Sequence, residues 1–173
     1  HWKNQAQKRG VEVEKFVGID PSKNMLEVAK KKVDFATFIE GKAQELPLED
    51  SSTDIVSISY GIRNVVDRKE ALREFFRVLK PGGVVLILEF TKQNREGAID
   101  KIVDFYMKKI LPLIGGLVSK NYRAYKYLPN SIEEFLTTDM LIDELEEVGF
   151  EKRYSKSFSL GISTLIIAQK PNG

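Results

Sequence analysis

The stretch Ile55–Asp67, IVSISYGIRNVVD, limits the fold more than any other, because an apolar run breaks there abruptly into a polar cluster. Val56, Ile58 and their neighbours read as a strand buried on both faces, of the kind parallel sheets contain, and the run stops at Tyr60-Gly61 just before Arg63-Asn64. Ligands of open α/β sheets sit in the crevice at the carboxyl ends of the strands, so Ser59, Tyr60, Arg63 and Asn64 stand where chemistry is expected. On its own, Arg63 reads as readily as a helix-capping or salt-bridging residue.

The flanking chain repeats the alternation. Lys15–Asp20 is a short apolar strand closed by an acid, after which Pro21 and Ser22 open a helix with Met25, Leu26 and Ala29 on its apolar face and Lys30, Lys31 and Lys32 in its last turn. Ala36–Glu40 reads as a strand, and Gly41–Leu48 as a loop that Pro47 keeps from being helical. Arg68–Leu79 places Ala71, Leu72, Phe75, Phe76 and Leu79 at helical spacing, and Lys80-Pro81-Gly82-Gly83 ends it. Val84–Phe90, VVLILEF, is a second doubly buried strand, also closed by an acid, Glu89. Ser131–Val148 reads as one helix, with Ser131 as its cap and Glu134 at the capping-box position. Phe150–Tyr154 and Leu160–Gln169 then form two closely connected strands, at least one of them antiparallel to the rest. The fold class that follows is α/β, a doubly wound and mostly parallel sheet with an antiparallel C-terminal strand.

Composition narrows the chemistry. The chain has 173 residues, enough for a single domain spanning 1–173, and 42% hydrophobic residues supply its core. Lys and Arg number 27 against 25 Asp and Glu, and the resulting +2 is too near neutrality for a nucleic-acid footprint. There is no cysteine, and His1 is the only histidine. Thiolate nucleophiles, metal sites and a histidine base are therefore not expected, and proton handling falls to Asp, Glu, Tyr, Lys or Arg. The longest apolar run, Ile110–Val118, is far short of the ~20 residues a spanning helix needs. Residues 94–130 are basic and amphipathic, and read as a helical insertion, either a plain cover for the sheet or a lid over a substrate site.

Together these residues resemble a known group, the class I methyltransferases that use S-adenosylmethionine, and within it the quinone-biosynthesis C-methyltransferases. Arg77-Val78-Leu79-Lys80-Pro81-Gly82-Gly83 running to Leu88-Glu89-Phe90-Thr91 resembles that family's signature, with Thr91 where Ser is usual. Ser59-Tyr60-Gly61-Ile62-Arg63-Asn64-Val65 resembles its active-site strand end, and Tyr125-Lys126-Tyr127-Leu128 through Ser131-Ile132 its substrate-side segment. The resemblance implies a seven-stranded Rossmann-like sheet and C-methylation of a prenylated quinol, with demethylmenaquinol favoured over a benzoquinol. It implies Asp20 on the cofactor's ribose hydroxyls, Lys42 and Ala43 in the adenine loop and Ser59 against the cofactor. Asn64 and Tyr125 fall on the substrate side, and Arg63 beside the ring hydroxyl to be deprotonated. Lys42 departs from the usual Asp or Asn, and a lysine has no acceptor for the adenine amine. Glu89, whose strand lies across the organising strand from the cofactor, is expected to affect cofactor affinity modestly at most. The implied location is the cytoplasm; peripheral contact with the inner face of the membrane and a homodimer both stay open.

The fold's first strand and its glycine-rich loop, such as GxGxG, should precede Phe16 by about 20–30 residues and are missing. His1-Trp2-Lys3 resembles the end of the family's entry segment and Gln5–Gly10 the end of the helix after that strand, so the sequence is expected to join two pieces of a longer protein. Other readings remain: a methyltransferase of this fold acting on another small acceptor, a non-catalytic binding partner, and a nucleotide-dependent oxidoreductase, in which the LKPGG stretch would have no role.

Overall fold

The computed structural model describes residues 2–92 and 130–173. In chain order these form α1 (Trp2–Lys8), β1 (Val17–Asp20), α2 (Lys23–Lys32), β2 (Thr37–Glu40), β3 (Thr53–Ser59), α3 (Arg68–Val78), β4 (Leu79–Phe90), α4 (Thr138–Val148), β5 (Glu151–Phe158) and β6 (Ser163–Gln169). Helices separate β1 from β2, β3 from β4 and β4 from β5, in keeping with the alternation expected from the sequence. The basic insertion and Tyr125 lie outside the described residues.

Local chemistry sets most boundaries. The Ser22 side chain caps α2 by accepting from the Met25 amide, and the Asp67 side chain caps α3 by accepting from Glu70. Gly149, at φ 111°, closes α4 in a left-handed conformation that a Cβ would strain. At the far end of α3 the Lys170 ammonium donates to the carbonyls of Phe76 and Leu79, at 2.8 Å each, where the helix dipole is negative. The continuous helix expected from Ser131 is instead broken. Residues 130–133 make a single helical turn, and α4 starts afresh with Thr137 as its cap, accepting from Met140. Tertiary packing explains the break: Phe135 is drawn into the core, and the Lys92 amide donates to the Leu136 carbonyl, tying this segment to the end of β4.

The strands form two sheets. β1 and β2 pair in parallel, while β3, β4, β6 and β5 form a four-stranded sheet in that order. β3 and β4 are parallel, and β6 runs antiparallel to both β4 and β5. The core lies between this sheet and the pair α3 and α4, with Leu72, Leu79, Val85, Ile87, Leu141, Leu145 and Ile166 buried in it. Each such aliphatic side chain contributes about 1.5–3 kcal/mol by leaving water. β4 takes in Lys80-Pro81-Gly82-Gly83, which the sequence suggests as the stop of the preceding helix. Along Val84–Phe90 it is fully buried on the face of Val85, Ile87 and Glu89 and half-buried on the other, whereas β3 leaves one face open. Val56 and Ile58 pack on the core, whereas Ile55 on the opposite face is 52% exposed. Among the described residues β3 pairs only with β4, so it is an edge strand with one face open. Met25, expected on the buried face of α2, is exposed, and Leu26 makes that helix's buried contact.

Candidate active site

Parallel pairing brings the carboxyl ends of β3 and β4 side by side. The register sets Ser59 opposite Leu88, and the Tyr60 amide donates to the Leu88 carbonyl at 2.8 Å, so the residues after Ser59 fold across Glu89. Tyr60 turns the chain there with φ 55°, a left-handed conformation unusual for a bulky side chain and of a kind that clusters at functional sites. Its ring packs on Phe90 with centroids 4.5 Å apart, and its hydroxyl lies 3.2 Å from the Ser163 hydroxyl. These contacts hold the turn. A short 3-10 turn, Ile62–Asn64, follows, anchored by Ile62, which is 1% exposed.

Arg63 is thereby folded back under the strand ends. Its side chain is 9% exposed and forms an ion pair with Glu89, which is fully buried. Nη1 donates to Oε1 of Glu89 and, at 3.0 Å, to the Tyr60 carbonyl, while Nε lies 3.4 Å from the Ser131 hydroxyl that accepts from it. The Phe90 ring lies 5.4 Å from the guanidinium. Salt bridging, the plainer reading of this arginine, thus holds alongside the strand-end position. A partner carboxylate also offsets part of the field that a lone guanidinium would project. Sequence reasoning missed this partner, although the acid closing a doubly buried strand was its signal. Ser59 is exposed at the end of β3, and Asn64 is exposed with its amide donating to the Gly61 carbonyl at 3.0 Å.

A second group gathers at the carboxyl ends of β1 and β2. Asp20 closes β1, and its Oδ1 accepts from the Ser22 amide at 2.7 Å. Among the described residues its other oxygen accepts no hydrogen bond. Beside it Pro21, Glu40, Gly41, Lys42, Glu45, Leu46 and Pro47 line an open cleft of about 570 Å³. A Cβ on Gly41 would stand 3.0 Å from Ile19 and 3.1 Å from Pro47, so glycine lets the loop lie close on β1. Lys42 is exposed and its carbonyl accepts from the Glu45 amide, while Ala43 packs against the core. The loop's far end is braced from α3. Arg77 donates to the carbonyls of Leu46 and Leu48, and to Glu74 and Asp50, while Glu74 also accepts from the Leu46 amide. This hydrogen bonding, above all that from Arg77, holds the Glu74 carboxyl below its ordinary pKa and raises that of Arg77. Among the described residues no hydrogen bond or ion pair joins the Asp20 group to the Arg63 group, no set of His, Cys, Asp and Glu could hold a metal, and no helix is long and apolar enough to cross a membrane.

Comparison with known proteins shows the family. The profile of the ubiE/COQ5 methyltransferase family matches residues 2–170. The chain belongs to that family. It is 54% identical to the ubiquinone/menaquinone biosynthesis C-methyltransferase UbiE of Campylobacter jejuni, over 98% of this chain and 72% of that protein. To the demethylmenaquinone methyltransferase of Thermotoga maritima it is 41% identical, over 83% of this chain and 62% of the relative. Among solved structures, a SAM-dependent methyltransferase from Methanosarcina mazei superposes with a TM-score of 0.64 at 22% identity, covering 99% of this chain and 87% of the other. At that identity the likeness concerns the fold alone. It is the Rossmann-like methyltransferase fold with a mixed sheet, in agreement with the parallel β3 and β4 and the antiparallel β6.

Proposed function

We propose that this protein is an enzyme that transfers a methyl group from S-adenosyl-L-methionine to a ring carbon of a prenylated quinol in quinone biosynthesis, with demethylmenaquinol as the favoured acceptor. The observation that carries the reading is 54% identity to a C-methyltransferase of quinone biosynthesis across nearly the whole chain, with Arg63 at the strand end where chemistry is expected. When bound, the cofactor supplies a methyl group on a sulfonium. The residues present suit its adenosine part: Asp20 has a carboxylate oxygen to offer ribose hydroxyls, Ser59 is exposed at the end of β3, and the Gly41–Pro47 loop with Lys42 and Ala43 walls a cleft open enough for an adenine.

On the acceptor side, a ring carbon attacks only if the ring is electron-rich, which calls for the anion of a hydroxyl whose ordinary pKa is about 10. Arg63 is assigned to that hydroxyl. Its guanidinium stabilises the anion electrostatically, and a water carries the proton away. Asn64 and Tyr125 are assigned to the substrate ring. Peripheral membrane contact is consistent with a lipid quinol.

We further propose that the complete sheet has seven strands, with one more parallel strand lying between β1 and β3. In its support, β1 pairs only with β2 and β3 only with β4 among the described residues, which leaves one hydrogen-bonding edge of β3 open. A protein whose intact mass exceeds 19.7 kDa is expected, and an intact mass at that value would defeat this part.

The deciding experiment is methyl transfer in vitro from labelled S-adenosylmethionine to a demethylated naphthoquinol and, in parallel, a demethylated benzoquinol. Label in the naphthoquinol product is expected at the higher rate. Label in neither product, with cofactor binding intact, would replace the reading with methylation of another small acceptor.

A further inference from the structure

Along β4 the side chains of Val85, Ile87 and Glu89 fall on one face, and all three are fully buried. An aliphatic residue is the ordinary occupant of the third position, and burying a carboxylate there carries a desolvation penalty that an ion pair often fails to recover in stability. The hydrogen bonds show where this carboxylate is directed. Oε1 accepts from Nη1 of Arg63 and, at 2.8 Å, from the Phe90 amide; Oε2 accepts from the Arg63 amide at 3.3 Å. One carboxylate therefore holds both the backbone and the side chain of a residue 26 positions away. With Nη1 spent on Glu89 and Tyr60 and Nε on Ser131, Nη2 is the guanidinium nitrogen that makes no hydrogen bond among the described residues.

We propose that Glu89 is a positioning residue of the methyl-transfer reaction, which holds the Arg63 guanidinium in one orientation with its Nη2 edge turned to the acceptor hydroxyl. The inference rests on the assignment of Arg63 to that hydroxyl and deepens it. The buried pair has no net charge, so Arg63 acts through directed donors in a dry site more than through a surplus positive charge, and its rate contribution depends on orientation being set before the substrate arrives. A purely structural carboxylate would affect folding or cofactor binding. A positioning carboxylate affects kcat, and only while Arg63 is present.

The test is a double-mutant cycle on kcat, KM and cofactor Kd with Glu89→Gln, Arg63→Ala and the double variant, in the full protein with a demethylated quinol, with Glu89→Asp as the conservative variant. Glu89→Gln keeps the shape, but with Oε1 still accepting from Phe90 it offers Nη1 a neutral acceptor in place of a carboxylate and sets an NH2 donor against the Arg63 amide where Oε2 accepted. The hold on Arg63 is thus weakened, while a thermal unfolding curve checks the fold. The expected outcome is a kcat loss of at least about tenfold in Glu89→Gln with cofactor Kd within about twofold of wild type, and partial recovery in Glu89→Asp. The double variant is expected within about threefold of Arg63→Ala alone, because a residue that acts through Arg63 has nothing left to orient. A slow Arg63→Ala beside a wild-type Glu89→Gln overturns the positioning role and spares the role of Arg63. A double variant whose loss is the product of the single losses overturns it as well. A wild-type rate in Arg63→Ala removes the assignment of Arg63 and this inference together.

Discussion

The two strand-end groups differ in how completely they are assembled. Around Arg63 the side chains of an edge strand, a central strand and the 130–133 turn converge; the guanidinium is 9% exposed, Glu89 is buried, and Tyr60 is held between Phe90 and Ser163. Around Asp20 a two-stranded sheet ends at an open cleft, with Lys42 exposed and a single hydrogen bond on the carboxylate. Two strands alone are marginally stable in water, whereas four strands under two helices hold a shape. The comparison teaches that the Arg63 group, proposed for the acceptor, is held in shape by the protein's own contacts. The Asp20 group, proposed for the cofactor, leans instead on contacts from outside its two strands, among them α2, whose Lys23 pairs with Glu40, and the brace of Arg77 and Glu74. A rigid site loses rate when disturbed, and an open site loses affinity.

The largest expected effect, and the sharpest way to break this division, is in Arg63→Ala. Removing a preorganised electrostatic group is expected to lower kcat by about 10²–10³ with cofactor affinity unchanged. Raising the pH should recover part of the rate, since solution hydroxide then forms the anion, and Arg63→Lys should fall between wild type and alanine. A kcat profile against pH for the three proteins checks all of this; a weakened cofactor Kd in Arg63→Ala would show that the two groups are not separate.

Asp20→Ala is the counterpart on the open side. Loss of two charge-assisted hydrogen bonds to ribose hydroxyls is expected to weaken S-adenosylmethionine binding by about 2–4 kcal/mol, measured by calorimetry, with thermal stability little changed. Unchanged affinity would leave Asp20 as the local brace of Ser22 alone and move the cofactor site elsewhere.

A smaller effect is expected from the brace, and it depends on pH. Because Glu74 titrates below its ordinary 4.5 in the folded chain, chiefly through the hydrogen bond from Arg77, its contribution to stability is complete above pH 4.5 and is lost as pH falls through the lower, folded value. Glu74→Gln should therefore cost about 1.5–3 kcal/mol at neutral pH and flatten the acid limb of the stability curve below pH 4.5. Urea unfolding at a series of pH values reads both. An acid limb as steep as wild type's would mean that other carboxylates set it. Least of all should Lys42→Ala matter: an exposed side chain at the cleft, without a partner among the described residues, is expected to change cofactor Kd by less than about threefold.

How much of this was legible in the sequence follows from the range of each interaction. Strands β1 and β2, the Val84–Phe90 part of β4, the helix α3 and the closing hairpin follow from patterns within about a dozen residues, as does the helix start at Ser22. The position of Arg63 at a strand end belongs to the same class, since an apolar run that stops is a local event. The helix break at Glu134–Leu136 does not, because Thr137 prevailed over Ser131 as a cap only once Phe135 had a core to enter and Leu136 a partner in Lys92. Nor does the half-exposed Ile55, since whether an apolar strand is covered on one face or two depends on which neighbours arrive. Sequence alone therefore determined which residues could form strands and helices and which polar ones follow the strand ends. Only the tertiary structure decided that Glu89 clamps Arg63 across 26 residues, because parallel register, and no property of either residue's neighbours in the chain, brings those two strand ends side by side.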